Sequence, residues 1–443
     1  MKIRNVFGLM LSVMLLLVAA GSSLAREPQP AGPSKAVGVN ASPAANAPWF
    51  FNTVDSPNDV GQHVSLALDP ANGTAYISYY DATYANLRMA KYVGSGGNCG
   101  PNNDWSCETV DSAGDVGKYS SIAINPASGR VWIAYYDATN GALKLAIMSG
   151  GGWIIKTIYD PLFGSAGLYA SLKLDSTGKT HIAYYISYLM ADDSLWYVKY
   201  VGGGAGNCTD NDYQCDQIDS GDQVGKYASL ALDSSDRPRI AYYDGGNNAL
   251  IYAQYGTTWA IREILPANSG QYASLYVDNG DIPHIAHYNS SNGKLGYAVY
   301  VGSGVNSNCG PNNEPKMEWR CDWIESVGTT TDPKGISLAV DGAGYPIIAY
   351  QYGGSVLKVA RPATALGLLV GNCGPIPYLF YTWQCDAISF GIGIGQGDFV
   401  SLAVNSAGLS TIAYYGNITA SDGDLKVAYQ RLQFFLPLAL KNW

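Results

Sequence analysis

The residues Ser121-Ile122-Ala123-Ile124-Asn125 lead through a short turn into Val131-Trp132-Ile133-Ala134-Tyr135-Tyr136-Asp137, and this pair of segments decides the fold. The first belongs to a Ser-apolar-x-apolar-Asp/Asn unit that occurs seven times, beginning at Ser65, Ser121, Ser171, Ser229, Ser274, Ser337 and Ser401. Each copy runs through a Gly- or Pro-containing turn into an Ile-Ala-Tyr-Tyr-like strand, as at Ile77 to Tyr80, Ile182 to Tyr185 and Ile412 to Tyr415. A third apolar segment follows, such as Leu87 to Tyr92, Leu143 to Ile147 or Leu425 to Tyr429. A fourth opens on an aromatic: Trp105, Trp153, Tyr213, Trp259, Trp319 or Trp383. Four short strands in each of seven units of about 55 residues predict an all-β, seven-bladed β-propeller with four antiparallel strands per blade.

The residue types suit that packing. Blades press both faces against neighbours, so their middle strands should be apolar on both sides instead of alternating. In Ile133-Ala134-Tyr135-Tyr136 they are. Closure can also be read. The seventh unit stops after its third strand, near Arg431, while Trp49-Phe50-Phe51-Asn52-Thr53-Val54-Asp55 mirrors Trp105 to Asp111. This N-terminal strand is expected to complete the last blade, removing its exposed edge.

Eight cysteines form four local couples: Cys99 with Cys107, Cys208 with Cys215, Cys309 with Cys321 and Cys373 with Cys385. In each, the second Cys lies two residues beyond the aromatic that opens the fourth strand. Where Cys is missing, Phe51, Ile155 and Ile261 fill the same place, so it is a packing position. Four structural disulfides follow, given export to an oxidising compartment.

Residues 1–25 read as a secretory signal, with Lys2 and Arg4 before an apolar run and small residues at Ser23-Leu24-Ala25. Residues 26–48 are an Ala/Pro-rich leader, and 49–432 the propeller. Residues 433–443 form a short apolar tail, resembling those of many secreted bacterial repeat proteins and offering a route to cell-surface attachment. No later stretch is long enough to span a bilayer, so no transmembrane span is expected after cleavage. The full chain carries a net charge of −9 with no basic patch, which argues against nucleic acid as a partner of this secreted or cell-surface protein.

Chemistry is written less plainly. The four histidines, His63, His181, His284 and His287, sit in different blades or on opposite strand faces, so no metal site and no cofactor are expected. The more interesting positions gather at one end of the propeller, where inter-blade connections and the turns between second and third strands emerge together. Gly-x-aromatic triplets bring His63, Tyr119, Tyr169, Tyr227, Tyr272 and Phe399 to the innermost strands, with Gly335 breaking the series. The neighbouring turns begin with Asp81, Asp137, Asp244 and Asn289. Aromatic faces beside carboxylates and amides can bind sugars. Both series also have a purely architectural account, a Tyr tying one blade to the next or an Asp capping a turn.

Over residues 49–431 the repeat resembles secreted bacterial propellers of the Asp-box, sialidase-like kind. The likeness is one of repeat style. Leu68-Asp69-Pro70-Ala71-Asn72-Gly73-Thr74 stands where an Asp-box would, without its Ser-x-Asp-x-Gly-x-Thr-Trp form, and no arginine cluster or Tyr-Glu nucleophile pair is recognisable. No catalytic residue therefore carries over. The reading is a non-catalytic binding module that recognises a glycan or another extracellular protein at the propeller mouth. The alternatives are a sialidase-like hydrolase or lyase, with Asp81, Asp137 or Asp244 in acid–base roles, and a structural surface or adhesion component.

Overall fold

Seven four-stranded antiparallel sheets, each formed by strands in chain order, make up the computed structural model. It describes residues 46–266, 268–303, 307–310, 318–328, 335–374, 381–389, 398–419 and 422–432. The signal segment, most of the leader and the C-terminal tail lie outside the described residues. The inner strands of blades 1 to 7 are Val60–Leu68, Val116–Ile124, Ser165–Leu174, Val224–Leu232, Ser269–Val277, Ile336–Val340 and Asp398–Val404. Each touches the inner strands of both neighbouring blades, and the seventh touches the first, so the sheets close a ring. The expected seven-bladed propeller is what forms. Among the described residues the one helical element is a 3-10 turn at Ala363–Leu366. Among the described residues no helix is long and apolar enough to cross a membrane.

Middle strands are buried on both faces, as blade stacking demands. Every residue of Ala75–Asp81 in blade 1 and of Pro283–Asn289 in blade 5 is buried. Closure also forms as expected. Trp49–Asp55 pairs antiparallel with Asp422–Gln430, with Trp49 opposite Gln430, and supplies the outer strand of blade 7.

The serine that marks each repeat has a role that joins blades. Its hydroxyl accepts a hydrogen bond from a backbone N–H on the next inner strand, just past that strand's own serine. Ile122 N donates to Ser65 Oγ at 3.2 Å, Leu172 N to Ser121 at 2.9 Å and Leu230 N to Ser171 at 2.9 Å. Leu275, Leu338 and Leu402 continue the series onto Ser229, Ser274 and Ser337. Leu66 N then donates to Ser401 at 2.9 Å, completing a seven-membered circle. Because the N–H loses its partner when the hydroxyl goes, Ser171→Ala is expected to cost about 1–2 kcal/mol, read as a lower urea midpoint with an unchanged slope.

A second set of ties runs along the blade faces. Tyr79 donates to Asp55, Tyr135 to Asp111 and Tyr242 to Asp219, each at 2.6 Å, and Tyr350 to Glu325 at 2.5 Å. Each acid is the last or next-to-last residue of the outer strand of the preceding blade. In three cases a cation from the tyrosine's own blade joins the pair: Arg88 at Asp55, Lys144 at Asp111 and Lys358 at Glu325.

All four expected disulfides form. The Asn before each first Cys (Asn98, Asn207, Asn308 and Asn372) clamps the backbone of the second, accepting from its N–H and donating to its carbonyl. A small local sheet is thus locked twice, covalently and by an amide.

Candidate functional site

The Gly-x-aromatic triplets lie where the inner strands carry two successive register shifts against their partners, as between Val116 and Lys118 and between Lys118 and Ser121 in blade 2. Gly117 shows why glycine is needed. Its φ is +111°, and a Cβ there would lie 2.7 Å from the Leu87 Cα on the third strand of the preceding blade. The strand can thus press directly onto its neighbour. Two residues on, Tyr119 itself adopts a left-handed φ of +54°. His63, Tyr169, Tyr227, Tyr272 and Phe399 do the same, with φ between +51° and +58°. This conformation is uncommon for bulky residues and costs on the order of 1 kcal/mol at each position. Its repetition in six blades means that the fold enforces it.

The consequence is a ring of aromatic side chains at the mouth of the central channel. Ring centroids lie 4.5 Å apart for Phe399 and His63 and for His63 and Tyr119. They are 4.7 Å apart for Tyr119 and Tyr169 and for Tyr169 and Tyr227, and 4.3 Å for Tyr227 and Tyr272. All are tilted, and each side chain is half-buried. They wall an open cup of about 220 Å³, floored by small residues including Ser120, Ala170, Ala228 and Ala273. Gly335 occupies the seventh position and leaves a gap in the wall.

Electrostatically the cup is neutral. Burial, with the positive charge of Lys118 second, pushes the His63 pKa down to about 3, so its imidazole is uncharged at physiological pH. Burial raises the Tyr119 and Tyr169 phenols, and the Tyr169 ring lies between those of Tyr119 and Tyr227. The Tyr119 and Tyr169 hydroxyls stay protonated. Among the described residues no carboxylate, ammonium or guanidinium lines the cup.

The structure brings the six aromatic candidates together and leaves the acidic series apart from them. Asp81 accepts from the Thr83 and Tyr84 N–H groups, Asp137 from Asn140 and Asp244 from Asn247. Asn289 accepts from Ser291 and Asn292 and donates to Ser269. All four are buried, cap the turn that follows them, and line no part of the cup. Asp69, Asp175 and Asp341 cap the opposite turns in the same manner.

The remaining histidines are framework residues. His181 and His284 hydrogen-bond Tyr197 and Tyr297 inside their blades. Among the described residues no group of three His, Cys, Asp or Glu side chains converges to hold a metal. What sequence reasoning missed is the circle of serine acceptors and the acids ending the outer strands. The only available signal was their recurrence, because each partner lies on another blade.

Fold and site together define a seven-bladed β-propeller with an aromatic cup on its axis. No protein-family model and no curated protein matches the sequence. Similar solved structures include the polysaccharide lyase Uly1, 9% identical with a TM-score of 0.46 over 83% of this chain and 90% of that one. AofleA from Arthrobotrys oligospora is 11% identical with a TM-score of 0.44, covering 80% of this chain and 95% of its own. The Hadza microbial sialidase Hz136 is 10% identical with a TM-score of 0.42, covering 84% and 65%. These likenesses concern the fold alone.

Proposed function

We propose that this protein is a secreted, non-catalytic binding module that holds a glycan in its axial cup. The observation that carries the reading is the ring itself: six half-buried aromatic faces around one open cavity, with tyrosine hydroxyls among them. Sugar C–H groups stack on such faces while their hydroxyls meet the phenols. At about 220 Å³ the cup is smaller than the roughly 300–1,000 Å³ of drug-sized pockets, which suits a single sugar unit. A hydrolase needs two carboxyl groups roughly 5–9.5 Å apart across the scissile bond. Asp81, Asp137 and Asp244 are instead committed to their turns, which favours binding over catalysis. Four disulfides agree with an extracellular location.

A glycan-array screen of the mature protein tests the reading. Tyr119→Ala and Tyr227→Ala are expected to weaken binding at least about tenfold while melting cooperatively, as loss of a central aromatic contact does. Asp137→Ala should lower stability yet leave the affinity of the folded fraction unchanged. Failure of the wild-type protein to bind any glycan would move the function to a protein partner or a structural surface role.

A further inference from the structure

The cup has two unlike halves, and from them we infer that it takes a single uncharged ring with one hydroxyl-rich edge and one apolar edge; this rests on the glycan-binding reading. Four tyrosines in sequence order, Tyr119, Tyr169, Tyr227 and Tyr272, line blades 2 to 5 as a continuous arc, with neighbouring ring centroids 4.7, 4.7 and 4.3 Å apart. Across the mouth, blades 6, 7 and 1 present Gly335, Phe399 and the neutral His63. A ligand hydroxyl turned toward the tyrosine arc replaces its lost water contacts. The same hydroxyl turned toward Phe399 does not.

The neutrality of the site is built in. The two described lysines next to the ring are already engaged: Lys118 meets Asp115 at 2.6 Å and Lys226 donates to Gln223 at 2.7 Å. Both lie beside outer tyrosines, Lys118 over Tyr80 and Lys226 over Tyr185. His63 sits between Tyr119 and Phe399 and is held uncharged. A carboxylate entering the cup would lose hydration and find, among the described residues, no unengaged cation in return. Acidic sugars are thereby rejected, and neutral ones are selected by which edge carries their hydroxyls.

The experiment pairs methyl glycosides of neutral hexoses with the methyl uronides of the same sugars, which differ by a carboxylate in place of a hydroxymethyl group. Titration calorimetry on the wild-type protein is expected to show each uronide at least tenfold weaker than its hexoside. Tyr169→Phe, which keeps the ring and removes the hydroxyl, should weaken the best hexoside about three- to tenfold. Phe399→Tyr should weaken it as well, by setting a hydroxyl against the apolar edge. Uronides binding as tightly as hexosides would overturn the inference while leaving glycan binding intact, as would Tyr169→Phe without effect or tighter binding by Phe399→Tyr. If the wild-type protein binds neither class, the glycan reading fails and this inference fails with it.

Discussion

A chain lacking Trp49–Asp55 is expected to melt at least about 6 °C below the full protein, because the seven residues close the ring instead of decorating it. The strand supplies all of the outer pairing of blade 7, from Trp49 opposite Gln430 to Asp55 opposite Leu425. Val54 is fully buried and packs in one cluster with Leu425 and Val427 of blade 7 and Ile77 and Tyr79 of blade 1. Asp55 accepts from the buried Tyr79 hydroxyl and pairs with Arg88 at 3.1 Å, both on blade 1. Deletion therefore opens a cavity, orphans a buried hydroxyl and strips a carboxylate from a guanidinium. Each of these costs from about 1 to several kcal/mol, and together they exceed about 5 kcal/mol. In a ring the loss is also shared, since blades 7 and 1 stop bracing each other. Differential scanning calorimetry of the two proteins decides it. A cooperative transition within about 2 °C of the full chain would mean that closure lies elsewhere.

The residues that made this closure legible were those whose signal is local. Trp49 to Asp55 repeats the spacing of Trp105 to Asp111, so the missing strand could be matched without knowing any contact. Cysteine pairing was readable for the same reason, because each couple is closed within one short excursion. Ser171 behaves differently. Its recurrence was plain, but its partner is the Leu230 N–H on another blade. Sequence period reveals that a residue is needed at a position without revealing by whom. The Asp137 series marks a further limit. A turn cap and a sugar ligand use the same carboxylate, and only its orientation toward Asn140 separates them. The aromatic ring was half legible. Gly117-x-Tyr119 flagged a special backbone, while the left-handed φ that turns the ring to the channel mouth emerges only with the bulged register.

A residue that departs from its repeat yields the second large effect, on acid stability. His287 stands where the other six blades carry Tyr79, Tyr135, Tyr184, Tyr242, Tyr350 and Tyr414. Its blade lacks the usual partners. The preceding outer strand carries Leu265 opposite Leu250, where Asp219 stands opposite Leu195 one repeat earlier in the ring. The third-strand position opposite His287 is Gly296, which holds Arg88, Lys144 or Lys358 in blades 1, 2 and 6. His287 is 1% exposed, meets the edge of Trp323 at 5.6 Å, and neither ring nitrogen has a hydrogen-bond partner among the described residues. Burial, slightly offset by the Tyr288 backbone, pushes its pKa down from 6.5 to about 4. The sign follows from linkage. Above pH 6.5 the histidine is neutral in both folded and unfolded chains and stability does not depend on it. Below 6.5 the unfolded chain takes up the proton first, so folding is penalised progressively until the folded pKa is reached. The penalty by pH 4.5 is about 2–3 kcal/mol. Other groups titrate over this range too, but they are common to wild type and variant. His287→Phe keeps a planar apolar ring in the slot and removes both nitrogens, so urea unfolding between pH 7.5 and 4.5 should show the wild type losing about 2–3 kcal/mol more than the variant. Parallel stability curves would mean that His287 is reached by water or paired in solution, and the buried, unpaired imidazole would have to be abandoned.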